Sequence, residues 1–422
     1  MTTLLRRAPF EIDKYLADFR HVEKNDLFSK GQATKTDRII IDTVSVPKFT
    51  NEFWTSRQRQ ASSIHEISYR ACFKPQLPRF FIEFLTEEGD TVYDPFTGRG
   101  TTIIEAGLLG RNVISNDINP LSQILCKPRL FIPDMTQLQD RLQAIKIDKK
   151  VASPINLDMF YHKNTLQEIL SLRNYLIERE KTGQHDELDM WIRMVATNRL
   201  TGHSKGFFSV YTFPPNQAVS QDRQIKINKQ REQIPEYRDT KKLIMSKTLQ
   251  LIKNVSKEQI ARLRAAGGKA VFLNDDARET DVIKKQTVSL TVTSPPFLDV
   301  VQYAADNWIR CWFNNIDVES VSRKITMSKK IEDWVDIMSG VFKELYRITK
   351  KSGFVAFEVG EVRNGKIMLD EYVAKIGINQ GFICIGIMVN EQVFTKTSNL
   401  WGISNNDRGT NTNRIVIFQK DG

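Results

Sequence analysis

Residues 89–120, GDTVYDPFTGRGTTIIEAGLLGRNVISNDINP, hold the pattern that most restricts the fold. GDTVYDPF (89–96) reads as a short buried strand ending at an acid, Asp94. GRGTTIIEAGLLG (98–110) is a glycine turn feeding a helix. RNVISNDINP (111–120) is a second strand, again ending at an acid, Asp117. Strand, turn, helix and strand in about thirty residues make a βαβ unit.

From about 121 to 265 the alternation stops. MTQLQDRLQAIK, TLQEILSLRNYLIERE, ELDMWIRMVATNRL and TKKLIMSKTLQLIKNVSKEQIARLR carry apolar residues at three-to-four spacing, the period of helices. One irregular stretch, 201–224, interrupts them. The α/β pattern returns with KAVFLNDDARE (269–279), VSLTVTSPPF (288–297), a helix over 331–350 and the strand GFVAFEVG (353–360). GFICIGIMVNEQVF and TNRIVIFQK read as a closing antiparallel pair. The expected architecture is α/β: one doubly wound sheet formed by 51–120 and 266–422, with a large, mainly helical insertion at 121–265. Residues 1–50 form an amino-terminal extension without a clear pattern.

Composition bounds the function. The chain has 422 residues, 41% hydrophobic and 26% charged, enough for a sizeable core and unlike a disordered chain. Its net charge of +11 favours a polyanionic partner. Cys72, Cys126, Cys311 and Cys384 are scattered without a CxxC pair, and the five histidines are dispersed. Neither a metal site nor a disulfide framework is expected, and a reducing, cytoplasmic compartment fits. No segment approaches the ~20 apolar residues of a membrane span, and the first residues lack a signal-peptide run.

The glycine turn has a chemical logic. Asp94 lies where open α/β sheets bind ligands, at the carboxyl edge. Gly98 and Gly100 permit a tight turn and close approach. The helix opening at Thr101 and Thr102 turns its amides toward that place. Asp117 can accept from two ribose hydroxyls, and Asp276, after the third strand, from an adenine amino group. An ordinary βα turn with helix-capping acids is the other reading of the same residues. A phosphate loop fits less well: no lysine follows Gly100, and Asp94 repels a pyrophosphate. A nucleoside with a positive centre suits the turn, and S-adenosylmethionine is such a molecule.

DPFTGRGTT together with TSPPF (293–297) resembles the amino-methyltransferases of DNA, which carry a D-P-F-x-G-x-G-T cofactor motif and a catalytic [S/D/N]-P-P-[Y/F/W] motif. The serine form is most similar to the cytosine-N4 branch; Asp or Asn is commoner among adenine-N6 enzymes. ISYRACFKPQLPRFFIEFL (67–85) is similar to the family segment that closes over the cofactor's methionine end. The resemblance covers roughly 60–120 and 266–420. It implies a Rossmann-like class I methyltransferase sheet that binds S-adenosylmethionine. The cofactor set it implies is Phe73, Asp94, Phe96, Gly98, Gly100, Thr101, Thr102, Asp117, Ile118, Asp276 and Ala277.

The chemistry accounts for the second motif. An aromatic amine is a poor nucleophile because its lone pair is delocalised. Two acceptors at its hydrogens draw the nitrogen toward tetrahedral geometry. Ser294 supplies a side-chain oxygen, Pro295 a backbone carbonyl, and Pro295 and Pro296 hold both rigidly. Phe297 would stack on a base flipped out of the duplex. Transfer is then a direct displacement. A carbon-5 cytosine mechanism needs a cysteine nucleophile, usually after proline, and no Pro-Cys dipeptide occurs. SPPF is also readable as a plain strand-ending turn.

Residues 201–264 hold thirteen Lys/Arg against five Asp/Glu. Lys205, Phe207, Phe208, Tyr211, Arg223, Lys226, Lys229 and Arg231 are candidates for docking double-stranded DNA. The same aromatics can pack a helical subdomain, and the same cations can line a solvated helix face. In the resembled family the polar loop 395–414 borders the base pocket, which adds Asn411, Asn413 and Trp401. The expected activity is methylation of cytosine N4 in duplex DNA, with a cognate restriction endonuclease as a candidate companion. Adenine N6, RNA guanine N2 and a non-catalytic DNA-binding partner stay open.

Overall fold

The structure, a computed structural model, describes residues 9–21, 32–54, 61–69, 72–213, 218–296, 303–324, 330–362, 367–391 and 412–422. The chain begins with α1 (Pro9–Asp18), a two-residue ladder of β1 (Arg20–His21) with β2 (Gln32–Ala33), and the strands β3 (Lys35–Ile41) and β4 (Val44–Asn51). The βαβ unit follows α2 (Gln76–Leu85) as β5 (Thr91–Asp94), α3 (Thr101–Leu108) and β6 (Asn112–Asn116). The insertion contains α4 (Leu121–Cys126), α5 (Met135–Ala144), α6 (Lys163–Lys181), α7 (Glu187–Arg199), α8 (Gln221–Gln230), α9 (Thr240–Ile252) and α10 (Lys257–Gly267). Next come β7 (Val271–Leu273), β8 (Val288–Thr293), α11 (Tyr303–Phe313), α12 (Val318–Lys324), α13 (Ile331–Ile348) and β9 (Thr349–Val359). A short ladder of β10 (Glu361–Val362) with β11 (Ile367–Met368) leads to α14 (Leu369–Asn379), β12 (Phe382–Glu391) and β13 (Thr412–Lys420).

Among the described residues nine strands make one sheet in the order β3-β4-β12-β13-β9-β8-β5-β6-β7. From β7 to β9 neighbours run parallel, and β13 is antiparallel to both β9 and β12. This is the expected α/β sheet, with the mainly helical α6–α10 region between β6 and β7. The parallel centre is buried on both faces. Val92, Val113, Leu290 and Val292 face one core with α3, α10 and the insertion helices. Tyr93, Ile114, Val355 and Phe357 face a second core with α13 and α14. Two covered faces are what a parallel sheet requires.

Pattern alone gives no assignment for residues 1–50, and the structure puts 35–51 into the sheet. β4 lies parallel to β12, with Asn51 opposite Asn390, and β3 closes the edge antiparallel to β4. Asn390 secures the junction by accepting from the backbone N–H of Phe53 at 2.8 Å. Among the described residues no helix is long and apolar enough to cross a membrane.

Candidate functional site

The site is built at the carboxyl ends of β5, β6, β8 and β9. β5 and β8 are neighbours in the sheet, so the glycine turn and the diproline corner leave it side by side. Asp94 is 1% exposed. Its Oδ1 accepts from the Thr293 hydroxyl at 2.6 Å and from the Phe96 N–H at 3.1 Å. Burial pushes its pKa up to about 7, against these hydrogen bonds.

The turn itself is closed by the second acid. Asp117 Oδ2 accepts from Gly98 N–H at 2.7 Å, and Oδ1 from Asn119 N–H at 2.9 Å. Burial raises Asp117 to about 6. A carboxylate oxygen has further acceptor capacity beyond one bond, so Asp117 shapes the turn and keeps capacity to accept from a ligand. Gly100 sits at φ +83°, and a Cβ there would meet Cys126 Sγ at 2.3 Å. Only glycine meets both demands. Thr102 is fully buried and donates to the Val292 carbonyl at 3.1 Å, pinning α3 to β8. Thr101 is also buried and accepts from Arg99 Nε at 3.2 Å.

Beside Asp117 lies a cavity of about 660 Å³. Ile118, Gln123 and Asn274 line its sheet side, Ile177 and Arg193 the insertion side, and the α11–α12 turn the rest. Asn274 Nδ2 donates to the Asp117 carbonyl at 2.8 Å, and Gln123 Nε2 to Asn274 Oδ1 at 2.6 Å. The size suits a nucleoside. Its lining is mixed: Ile118, Ile124, Ile177 and Ile316 are apolar, and Gln123 and Asn274 supply amides.

Asp276 has a partner in its own turn. Its carboxylate is gripped by Arg278, Nε to Oδ1 at 2.9 Å and Nη2 to Oδ2 at 2.6 Å, and also accepts from Arg278 N–H. Asn274, two residues earlier, is the residue that hydrogen-bonds Asp117. Ala277 is buried in the second core. Phe73 and Phe96 are partly exposed near the turn, and the Phe73 carbonyl accepts from Arg99 Nη2 at 3.5 Å.

At the diproline corner Ser294 and Pro296 are partly exposed and Pro295 is buried. The Trp334 indole donates to the Pro296 carbonyl at 3.1 Å, fixing the corner to α13. Phe297, Trp401 and Asn411 lie outside the described residues. Asn413 donates through Nδ2 to Glu358 Oε1 at 2.9 Å.

Two residues of the site carry no sequence signal read above. Arg129 is fully buried and donates to the Arg99 carbonyl at the tip of the glycine turn and to Ile64 O at 3.3 Å. Burial lowers its pKa to about 10, so it stays charged at neutral pH. Glu358, at the end of β9, is the other; its position at a strand end was the available signal.

The insertion corrects part of the expected DNA surface. Phe208 is fully buried and Phe207 is 5% exposed, with the Arg199 guanidinium 3.9 Å from the Phe207 ring. Both pack the subdomain, because the closed turn 201–212 folds them inward. Tyr211 lies under the Arg231 guanidinium at 3.9 Å. Lys205, Arg223, Lys226, Lys229 and Arg231 are exposed, the last four on or beside α8. The segment entering α8 is tied to α11: Ala218 N–H donates to Asp306 O at 2.9 Å and the Trp308 indole to Val219 O at 3.1 Å.

Parts of the chain are similar to known proteins. A family model described as DNA methylase, N6_N4_Mtase, matches residues 14–123. The type II methyltransferase M.BsoBI of Geobacillus stearothermophilus is 40% identical over 86 residues, 20% of this chain and 17% of that protein. M.MvaI of Kocuria varians is 28% identical over 128 residues, 30% of this chain and 25% of that one. A tRNA (guanine(10)-N2)-dimethyltransferase of Methanocaldococcus jannaschii is 28% identical over 113 residues, 23% of this chain and 32% of that one. The chain thus spans a third or less of the length of these relatives. Among solved structures, TrmN from Thermus thermophilus aligns over 87% of this chain and 53% of its own, at 11% identity and TM-score 0.33. Residues 14–123 thus resemble the N6/N4 DNA methylase family.

Proposed function

We propose that the chain transfers a methyl group from S-adenosylmethionine to an exocyclic amine of a base in duplex DNA, with cytosine N4 as the preferred acceptor. The observation that carries this reading is the 2.6 Å hydrogen bond from Thr293 to Asp94, which holds the diproline corner against the glycine turn. When bound, the cofactor supplies an electrophilic methyl on a sulfonium. Asp117 would hold the ribose, Ile118 and Asn274 the adenine side, and Asp94 the positive end. Ser294 Oγ and the Pro295 carbonyl accept from the amine hydrogens, and the two prolines keep them aimed. The exposed cations of α8 would dock the backbone of the duplex.

Cytosine N4 is preferred over adenine N6 because serine, not Asp or Asn, opens the diproline motif. A type II modification role, paired with a cognate endonuclease, follows from the likeness to type II methyltransferases. The likeness to a tRNA guanine-N2 enzyme keeps a second reading, an RNA amine, in the test.

The experiment is incubation of the purified protein with duplex DNA or tRNA and isotope-labelled cofactor, followed by nucleoside mass analysis. Labelled N4-methylcytosine is the expected product. N6-methyladenine would move the acceptor, N2-methylguanosine the substrate, and no labelled nucleoside would overturn the reading. Ser294→Ala should bind cofactor normally and lose about 100-fold or more in turnover.

A further inference from the structure

Glu358 is a buried carboxylate in the site to which the reading above gives no task. It is the penultimate residue of β9 and 7% exposed. β8 and β9 run parallel with Thr293 opposite Phe357. The next residue on each chain, Ser294 and Glu358, therefore turns to the same side of the sheet. On the other flank β13 runs antiparallel, with Ile415 opposite Glu358. Asn413, two residues before Ile415, brings its Nδ2 to Glu358 Oε1 at 2.9 Å. The register makes the Ser294 side chain the other polar neighbour of this carboxylate. Three strand ends thus converge on one acid, and both of these partners are neutral.

A serine hydroxyl has one hydrogen and two lone pairs, and its hydrogen rotates to suit its surroundings. Ser294 can accept from an amine only when its own hydrogen points elsewhere. A carboxylate behind it fixes that direction; an unpaired hydroxyl would present its hydrogen to the amine for part of the time. We propose that Glu358 is the positioning residue for Ser294: it accepts the serine hydrogen so that the Oγ lone pairs face the amine, while Asn413 holds the carboxylate in place. Asn413 then belongs to this network and not to base-edge reading. The inference rests on the amine-transfer reading above. Burial raises the Glu358 pKa, and the contacts with Ser294 and Asn413 oppose that shift by favouring the charged, accepting form.

The test is a cycle of Glu358→Gln, Ser294→Ala and the double variant, read in two ways. In turnover with DNA, E358Q is expected to lose about 10- to 100-fold in kcat with DNA KM and cofactor Kd within about twofold. The double variant should fall no further than S294A alone, because the acid acts through the serine. E358D, which keeps the carboxylate, should recover part of the loss. Unchanged kcat in E358Q, or losses that multiply in the double variant, would overturn the assignment. Thermal denaturation of the same four proteins decides it without catalysis. Non-additive shifts in midpoint support the Ser294–Glu358 link, and additive shifts reject it. A wild type that methylates nothing defeats the functional reading, and the melting cycle still decides the link.

Discussion

The Thr293 hydroxyl donates to Asp94 Oδ1 at 2.6 Å, joining two positions 199 residues apart in the chain. Thr293 is the residue immediately before the diproline corner, and Asp94 the residue that opens the glycine turn. The bond stabilises the charged form of an acid that burial has raised to about 7. Thr293→Val keeps the shape and removes the donor. Asp94 should then rise further, so fewer molecules carry the charge at pH 7. Cofactor affinity is expected to fall about fivefold at pH 7, the worth of one modest hydrogen bond, and by much less at pH 9. Calorimetric titration at the two pH values checks this; an equal loss at both would sink the electrostatic account.

The same acids link binding and folding to protons. Asp94 and Asp117 stand at about 7 and about 6, both above the usual carboxylate value, with burial as the main cause. A cation arriving beside them favours their ionised forms. Cofactor binding at pH 6.5 should therefore release protons, seen as a binding heat that changes with the ionisation enthalpy of the buffer. For folding the sign is opposite to that of a salt-bridged acid. The folded state holds the Asp94 proton more tightly than the unfolded chain, so the contribution of Asp94 to stability is full below about pH 4. It declines as pH rises toward 7 and is level above. The difference in stability between wild type and Asp94→Asn should trace this fall, on the order of a few kcal/mol in total. A flat difference would mean that Asp94 is not raised.

The parallel centre of the sheet was legible because its strands are short β-branched runs, such as Val288–Thr293, bounded by turns and acids. The glycine turn was legible because its constraint is local. What escaped the sequence depends on distant partners. β3 and β4 show one mostly exposed strand and one half-buried strand, and the fact that fixes them, Asn51 opposite Asn390, lies in the far half of the chain. Phe207 and Phe208 fit a nucleic-acid surface and a packed subdomain equally well by composition; only the turn at 201–212 decides it. Asp276 follows the strand-end spacing, and its pairing with Arg278, two residues on, is a detail the spacing does not carry. Glu358 also ends a strand, yet Val355, Ala356, Phe357 and Val359 around it read as plain core.

Gly100 and Gly183 separate backbone strain from crowding. Both have positive φ, +83° and +69°, but a Cβ at Gly183 would meet nothing within 4 Å. Gly183→Ala should cost about 1–2 kcal/mol, the left-handed penalty alone. Gly100→Ala adds the clash with Cys126 Sγ and Cβ and presses on Arg129 Nη2 at 3.1 Å. It should cost a further ~1–3 kcal/mol and weaken cofactor binding, because Arg129 holds the tip of the turn. Denaturant titration of both variants, and of Gly100→Ala with Cys126→Ala, gives the comparison. Partial recovery in the double variant is expected, because Cys126→Ala removes Sγ and keeps Cβ; equal destabilisation of the two single variants would reject the close approach.

The exposed face of α8 and the buried Phe208 make a contrasting pair for the docking surface. Arg223, Lys226 and Lys229 are exposed and stand at three-residue spacing on one helix. Reversing them to glutamate should leave the melting midpoint and cofactor affinity nearly unchanged. DNA affinity should fall and depend less on salt, by roughly 0.9 in slope for each phosphate contact removed. Phe208→Ala opens a hole in the core and should cost about 3–5 kcal/mol, lowering every activity together and leaving the salt slope of the surviving folded protein unaltered. Binding titrations between 50 and 200 mM salt, a range over which phosphate contacts dominate, distinguish the two. If the triple reversal leaves both affinity and slope untouched, α8 does not face the duplex, and the basic charge of the insertion serves only its own solvation.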